Sequence, residues 1–310
     1  MAPCENFIMK ILAALTAFYL LCISPNQAQS LVQQLGYPEN TKLLILHADD
    51  LGIAHSENQA TFDAFEKGMV NSASVIVPAP WFSEFVVWAR QHPEADLGLH
   101  LALTAEWDLM KWGPVADQVP GLVNEQGYFY NNVRDVISNA SVEEVEKEIR
   151  AQIERYLAAG LQPTHMDSHM GSLFNEKFFQ VYIKLGQEYN IPVMINSDFM
   201  RKFPGVKPTI PENVLQVDQV PMAFPKNYQD GMEEFYSNTL RSLPAGVSVM
   251  LFHTAYENDE MRAVANNHPN YGAHWRQLDF NFFTSEACRN ILKEENIQLI
   301  TWRELSALLK

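Results

Sequence analysis

Two adjacent carboxylates, Asp49 and Asp50, end the apolar run Leu43-Leu44-Ile45-Leu46 and are followed at once by Gly52. Packing does not call for an Asp-Asp pair at the end of a buried strand. Side chains alternate along an extended chain, so both carboxylates reach one cleft only where the strand breaks into a loop. The plainer reading is a helix cap, where Asp is favoured, although Ser56 would serve that role equally well. Further along, His100 is the only polar side chain in the run Leu97 to Leu103. By itself it reads as a satisfied core histidine. The segment Thr164-His165-Met166-Asp167-Ser168-His169 is harder to explain by packing, because it gathers two histidines and an Asp behind Pro163, which favours extended geometry. His253 closes a further apolar run, Val247 to Phe252. One carboxylate and two neutral imidazoles make a site for a divalent metal with positions left open to water and substrate. Such a metal lowers the pKa of bound water from ~15.7 towards ~7, and a spare Asp and His supply the proton transfers that acyl hydrolysis needs.

These residues need elements to bring them together. From Lys42 onward, short apolar runs alternate with amphipathic stretches, the pattern of strand and helix in a largely parallel sheet. Candidate strands are Leu43 to His47, Ser72 to Val77, Leu97 to Leu101, Thr164 to Met166, Val193 to Asn196, Leu215 to Val217, Ser248 to His253 and Gln298 to Thr301. With no internal repeat, they predict an α/β barrel, complete or nearly so, in which the C-terminal strand ends share one mouth. The clearest helix runs from Val142 to Ala159, with Ser141 and Glu144 as a capping box and Gly160 as its stop. Others are expected over Glu57 to Lys67, Trp81 to Gln91, Glu176 to Tyr189, Met232 to Ser242, Thr284 to Glu295 and Arg303 to Leu309. Two connections, Thr104 to Ala140 and Ser197 to Gln229, exceed the ~12 to 15 residues usual for a simple loop. The first carries Trp107, Trp112, Tyr128, Phe129 and Tyr130, which either stack on sugar rings or fold the loop onto the core.

The net charge of −15 argues against a nucleic-acid partner, since a phosphate backbone wants clustered Lys and Arg. Lys10 precedes an uncharged apolar run, Ile11 to Ile23, and then a polar stretch from Ser24 to Ser30. The run is short of the ~20 residues that span a bilayer and suits a secretory signal. Residues 1–29 are therefore expected to be a cleaved export signal, starting at Met1 or Met9, with an N-terminal membrane anchor as the alternative. The mature protein would be periplasmic or extracellular, with no stable membrane insertion and only Cys288 of the three cysteines, so no internal disulfide. Residues 30–310 suffice for a single domain.

Taken together, these motifs resemble the YdjC-like carbohydrate deacetylases, which include chitooligosaccharide deacetylase and are related in fold to the NodB polysaccharide deacetylases. The resemblance runs from Lys42 to the C-terminus. It rests on Ala48-Asp49-Asp50-Leu51-Gly52, on Gly68 with Asn71-Ser72-Ala73-Ser74, on Gly98-Leu99-His100-Leu101 with Leu103-Thr104, and on Pro163 to His169. His253 and the closing Ile297-Gln298-Leu299-Ile300-Thr301-Trp302 add to it. It implies a distorted (β/α) barrel of about seven to eight strands. The implied activity is hydrolysis of linear amide C–N bonds: acetyl groups leave N-acetylated sugars or oligosaccharides by attack of metal-activated water. By matching positions, the resemblance implies that Asp50, His100 and His169 hold one divalent ion; whether it is magnesium or zinc is not readable from the sequence. It gives Asp49 the role of general base, His253 that of proton donor or oxyanion stabiliser, and His165 and Asp167 that of groups orienting the ligands. Met170-Gly171-Ser172 follows His169 where family members often carry more histidines, and Leu51 stands where Phe is common. Those departures and the export signal bear on substrate preference. Sugar identity and oligomeric state are not written in the sequence.

Two other readings use the same scaffold. A glycoside hydrolase would employ two carboxylates ~5 to 9.5 Å apart without a metal, which adjacent aspartates match poorly and which leaves the histidines without a role. A non-catalytic carbohydrate-binding protein would keep the aromatic loops and have no use for Asp49.

Overall fold

The computed structural model describes residues 29–202, 210–211 and 214–309, so the expected export signal, with Cys4 and Cys22, lies outside the described residues up to its last position. Among the described residues six parallel strands form one curved sheet: β1 (Lys42–Leu51), β2 (Ser72–Val75), β3 (Leu97–Leu101), β4 (Met166–Ser168), β5 (Gly246–Phe252) and β6 (Ile297–Leu299). Their order is β4-β3-β2-β1-β5, with β6 against the first residues of β1. β1 is central because Leu43 to Leu46 are buried on both faces, as a parallel strand covered by helices requires.

The expected count of seven to eight strands is corrected to six among the described residues. The segments expected at Val193 to Asn196 and Leu215 to Val217 are extended but make single contacts instead of ladders. Val193 bridges Met166, Gln219 bridges Ser248, Met222 bridges Leu251, and the Val217 N–H donates to the Ile195 carbonyl at 3.0 Å. Pro192 immediately precedes the first segment and Pro221 lies four residues beyond the second, and neither has an N–H to offer, which interrupts regular pairing. The sheet is thus a half-barrel whose two edges are joined by irregular chain.

The longer helices are α1 (His55–Glu66), α2 (Phe82–Gln91), α3 (Val142–Ala158), α4 (Phe179–Tyr189), α5 (Met232–Ser242), α6 (Ala273–Phe283) and α7 (Glu286–Glu294). The capping box of α3 forms as expected, Ser141 Oγ accepting from Glu144 N–H and the Glu144 carboxylate accepting from Ser141 N–H. The cap reading of the aspartate pair does not hold. The N-cap of α1 is Ala54, and the N–H groups of His55 and Ser56 donate to the Glu260 carboxylate at 3.1 and 2.8 Å. α6 was not expected from the sequence. It buries Arg276 and Asp279 along with its aromatics, which blurs the apolar stripe that normally marks a helix. The connection Thr104 to Ala140 is largely folded down. The buried Glu148 of α3 accepts from Val115 and Ala116 N–H, and Trp112 and Phe129 are buried beneath it. No described helix is long and apolar enough to cross a membrane.

Candidate metal centre and active site

At the C-terminal end of β1 the backbone solves the problem posed by two adjacent aspartates. Asp50 adopts a left-handed conformation (φ 71°), Gly52 follows at φ 95°, and the pairing with β2 shifts between Ala48 and Leu51. This bulge breaks the alternation of the pleat, and Asp49 and Asp50 both line one cavity of about 470 Å³. His100 from β3, His169 from the turn after β4 and His253 after β5 line the same cavity, so five sequence-predicted residues meet. Trp107, Phe199, Phe224 and Leu251 contribute apolar wall. A larger cleft of about 720 Å³ adjoins it across Met170, but none of these carboxylates and imidazoles line it.

The floor is a convergence of lone pairs. Asp50 Oδ1 lies 3.2 Å from His100 Nε2 and 3.1 Å from His169 Nδ1, yet it is buried without a hydrogen-bond partner. The outer nitrogens of both imidazoles are already engaged: His100 Nδ1 with Asp167 Oδ1 at 2.6 Å, His169 Nε2 with Glu106 Oε2 at 2.9 Å. A ring N–H donated to a rear carboxylate leaves the inner nitrogen as an acceptor facing Asp50. Three acceptors face to face repel one another unless a positive charge lies between them, and this donor arrangement, with a carboxylate behind each histidine, fits a divalent metal. Protons can take its place. Burial works against a charged His169, but Glu106 and Asp50 outweigh it and push its pKa up to about 9.

The other oxygen of Asp50 belongs to Arg276, whose Nη2 donates to Oδ2 at 2.7 Å. Burial alone would raise the Asp50 pKa, but Arg276 and His169 hold it well below the usual carboxylate range. Arg276 is itself buried, ion-paired also to Glu57, and sits 5.3 Å over the Trp107 ring. His253 Nε2 stands 3.8 Å from Asp50 Oδ2. Burial lowers its pKa to about 4, with Arg276 adding to the effect, so the ring is neutral at pH 7.

The two residues read as orienting groups separate. Asp167 bonds His100 directly, whereas His165 packs in the interior against Trp302, with ring centroids 5.1 Å apart, and touches no proposed ligand. Among the aromatic loop residues, Trp107 reaches the cavity and Tyr128 is exposed away from it. Sequence reasoning passed over His47, Glu106 and Arg276. His47 stands two residues before Asp49 and therefore on its side of the strand, a signal that was available. Glu106 sits in a long loop and Arg276 in an unexpected helix, and nothing local marks either.

The model of the YdjC-like protein family matches residues 43–294. A carbohydrate deacetylase of Thermus thermophilus is 30% identical over 279 residues, covering 88% of this chain and 97% of that protein. One from Brevibacillus brevis is 29% identical over 272 residues, covering 84% and 99%. A solved Enterococcus faecalis structure named for cellobiose-phosphate cleavage superposes with a TM-score of 0.71 at 26% identity, covering 86% of this chain and 99% of that one. The family match extends from β1, with its paired aspartates, to the last residue of α7 and takes in all five residues that meet in the cavity: this chain belongs to the YdjC-like family.

Proposed function

We propose that the protein hydrolyses the acetyl amide of N-acetylated sugars or oligosaccharides, with one divalent cation held by Asp50, His100 and His169. The observation that carries this reading is the cavity floor, where three ligand atoms converge with a second carboxylate, Asp49, beside them. Relatives aligned over nearly their whole length are named carbohydrate deacetylase, which agrees with it. A bound cation would polarise the acetyl carbonyl and ease deprotonation of water at the site. Asp49 takes a proton from the attacking water, whose oxygen bonds to the acetyl carbon; the C–N bond then breaks as the nitrogen receives that proton from Asp49, giving acetate and an amine. Asp49 Oδ1 is occupied by His47 at 3.0 Å, which leaves Oδ2 for that proton. His253, neutral at pH 7, is suited to donate a hydrogen bond to the developing oxyanion. Arg276 compensates the charge of Asp50 from behind and helps keep that carboxylate ionised. The apolar walls from Trp107 and Phe224 give a sugar ring surfaces to lie against.

The test is acetate release from a panel of N-acetylated and O-acetylated sugars, with and without chelator, and with zinc or magnesium added back. Activity should vanish on chelation, and turnover indifferent to it would remove the cation from the reading. Asp49→Asn should lose roughly 10²- to 10⁴-fold in kcat while keeping the metal, and unchanged turnover would overturn the base assignment. Reducing sugar released without acetate would favour cleavage of a glycosidic bond instead.

A further inference from the structure

His47 has no role in the chemistry above beyond its contact with Asp49, yet it is fully buried on the strand that carries both aspartates. Its Nε2 lies 2.9 Å from Asp167 Oδ2 and 3.0 Å from Asp49 Oδ1, and its Nδ1 lies 2.8 Å from Ser72 Oγ. Asp167 in turn holds His100 Nδ1 with its other oxygen. One ring nitrogen therefore stands between the proposed base and the carboxylate that orients a proposed ligand. Ser74 Oγ reinforces the same junction, donating to Asp167 Oδ2 at 2.8 Å.

His47, His165 and Asp167 also lie close enough together to suggest a second metal site. The interior leaves no room for one. A Cβ built on Gly98 would stand 2.4 Å from His165 Nε2, so that nitrogen faces backbone, and both nitrogens of His47 already have hydrogen-bond partners. All three residues are at 0% exposure, with no opening for water or substrate.

We propose that His47 is a positioning residue: through one ring nitrogen it fixes the carboxylates of Asp49 and Asp167 relative to each other, and so ties the placement of the base to the orientation of His100. The assignment of Asp49 as base rests on the deacetylase reading; the geometry of the tie does not. Leucine at this position fills the space and donates nothing. Glutamine places an amide near the site of Nε2, with one N–H for each carboxylate.

The experiment compares wild type, His47→Leu and His47→Gln by kinetics on N-acetylglucosamine oligosaccharides, by cobalt(II) titration and by crystallography. His47→Leu should lower kcat by roughly 10- to 100-fold, leave KM within about twofold, and weaken cobalt binding, and His47→Gln should recover most of each loss. In crystals the Asp49 carboxylate should leave its place in the Leu variant and return in the Gln variant. Equal impairment of the two variants would assign His47 to packing alone, and a Leu variant with wild-type kcat and an unmoved Asp49 would overturn the proposal. If His47→Leu does not fold, His47→Met, which also lacks a donor, takes its place with the same expectations. Should the wild type release no acetate from any sugar, the deacetylase reading fails, and the positions of Asp49 and Asp167 in the variant crystals still decide the role of His47.

Discussion

Glu106 shows why a proposed metal ligand has to be considered with the group behind it. Its carboxylate lies 2.9 Å from His169 Nε2, so it selects the tautomer that turns Nδ1 towards Asp50. Burial raises the Glu106 pKa, but His169 outweighs it and keeps the side chain ionised. Removing it frees the ring to rotate and makes it a weaker donor. Glu106→Ala should therefore lower zinc affinity by roughly 10- to 100-fold without unfolding the protein, measured by competition with a chromophoric chelator. Affinity equal to wild type would show that His169 is oriented by other means. Asp167 plays the same part for His100 and was visible in the sequence because it belongs to the dense cluster after Pro163. Glu106 was not, since one acidic residue in a loop of more than thirty carries no mark of its destination.

At the scale of elements, the packing of β3 against the interior is tight enough to test. Gly98 has an ordinary backbone, so its requirement is one of space: an added Cβ would lie 2.4 Å from His165, whose ring is pinned against Trp302. Gly98→Ala should destabilise the fold by about 1 to 3 kcal/mol in chemical denaturation, and a neutral result would mean that His165 can move aside. α6 and β5 are joined by Asp279, which accepts from His253 N–H at 3.1 Å and from the Tyr236 hydroxyl of α5 at 2.7 Å. Burial raises the Asp279 pKa to about 7 despite these bonds. The folded state thus keeps a proton that the unfolded chain releases near pH 4, so this contribution is fully present at low pH and is lost as pH rises towards 7. The loss should be on the order of a few kcal/mol, seen in denaturation curves between pH 4 and 8, and Asp279→Asn should flatten the trend. A wild-type slope preserved in the variant would exclude Asp279 as its source.

At the scale of the whole molecule, we propose that the chain is exported and that residues 1–29 are removed. Mass spectrometry of the protein recovered from the producing cell should place the mature N-terminus near Ser30. Recovery from membranes with residues 10–23 retained would establish the anchor instead. The α/β class, the parallel sheet and the strand-end residues Asp49, Asp50, His100, His169 and His253 were all legible in the sequence, because burial on both faces writes a strand as an apolar run and makes each polar break conspicuous. The half-barrel was not, because Val193 to Asn196 and Leu215 to Val217 have strand composition while Pro192 and Pro221 limit their pairing. The partners of the site residues were not legible either. Arg276 lies 226 positions from Asp50 and Asp167 lies 120 from His47, and such contacts are created by the curvature of the sheet rather than by any local preference. Sequence determined that Asp49, Asp50, His100, His169 and His253 stand at or just beyond strand ends, since that follows from local periodicity. Tertiary structure alone decided which nitrogen faces which oxygen: Asp50 Oδ1 lies against His100 and His169, and Asp49 Oδ1 against His47.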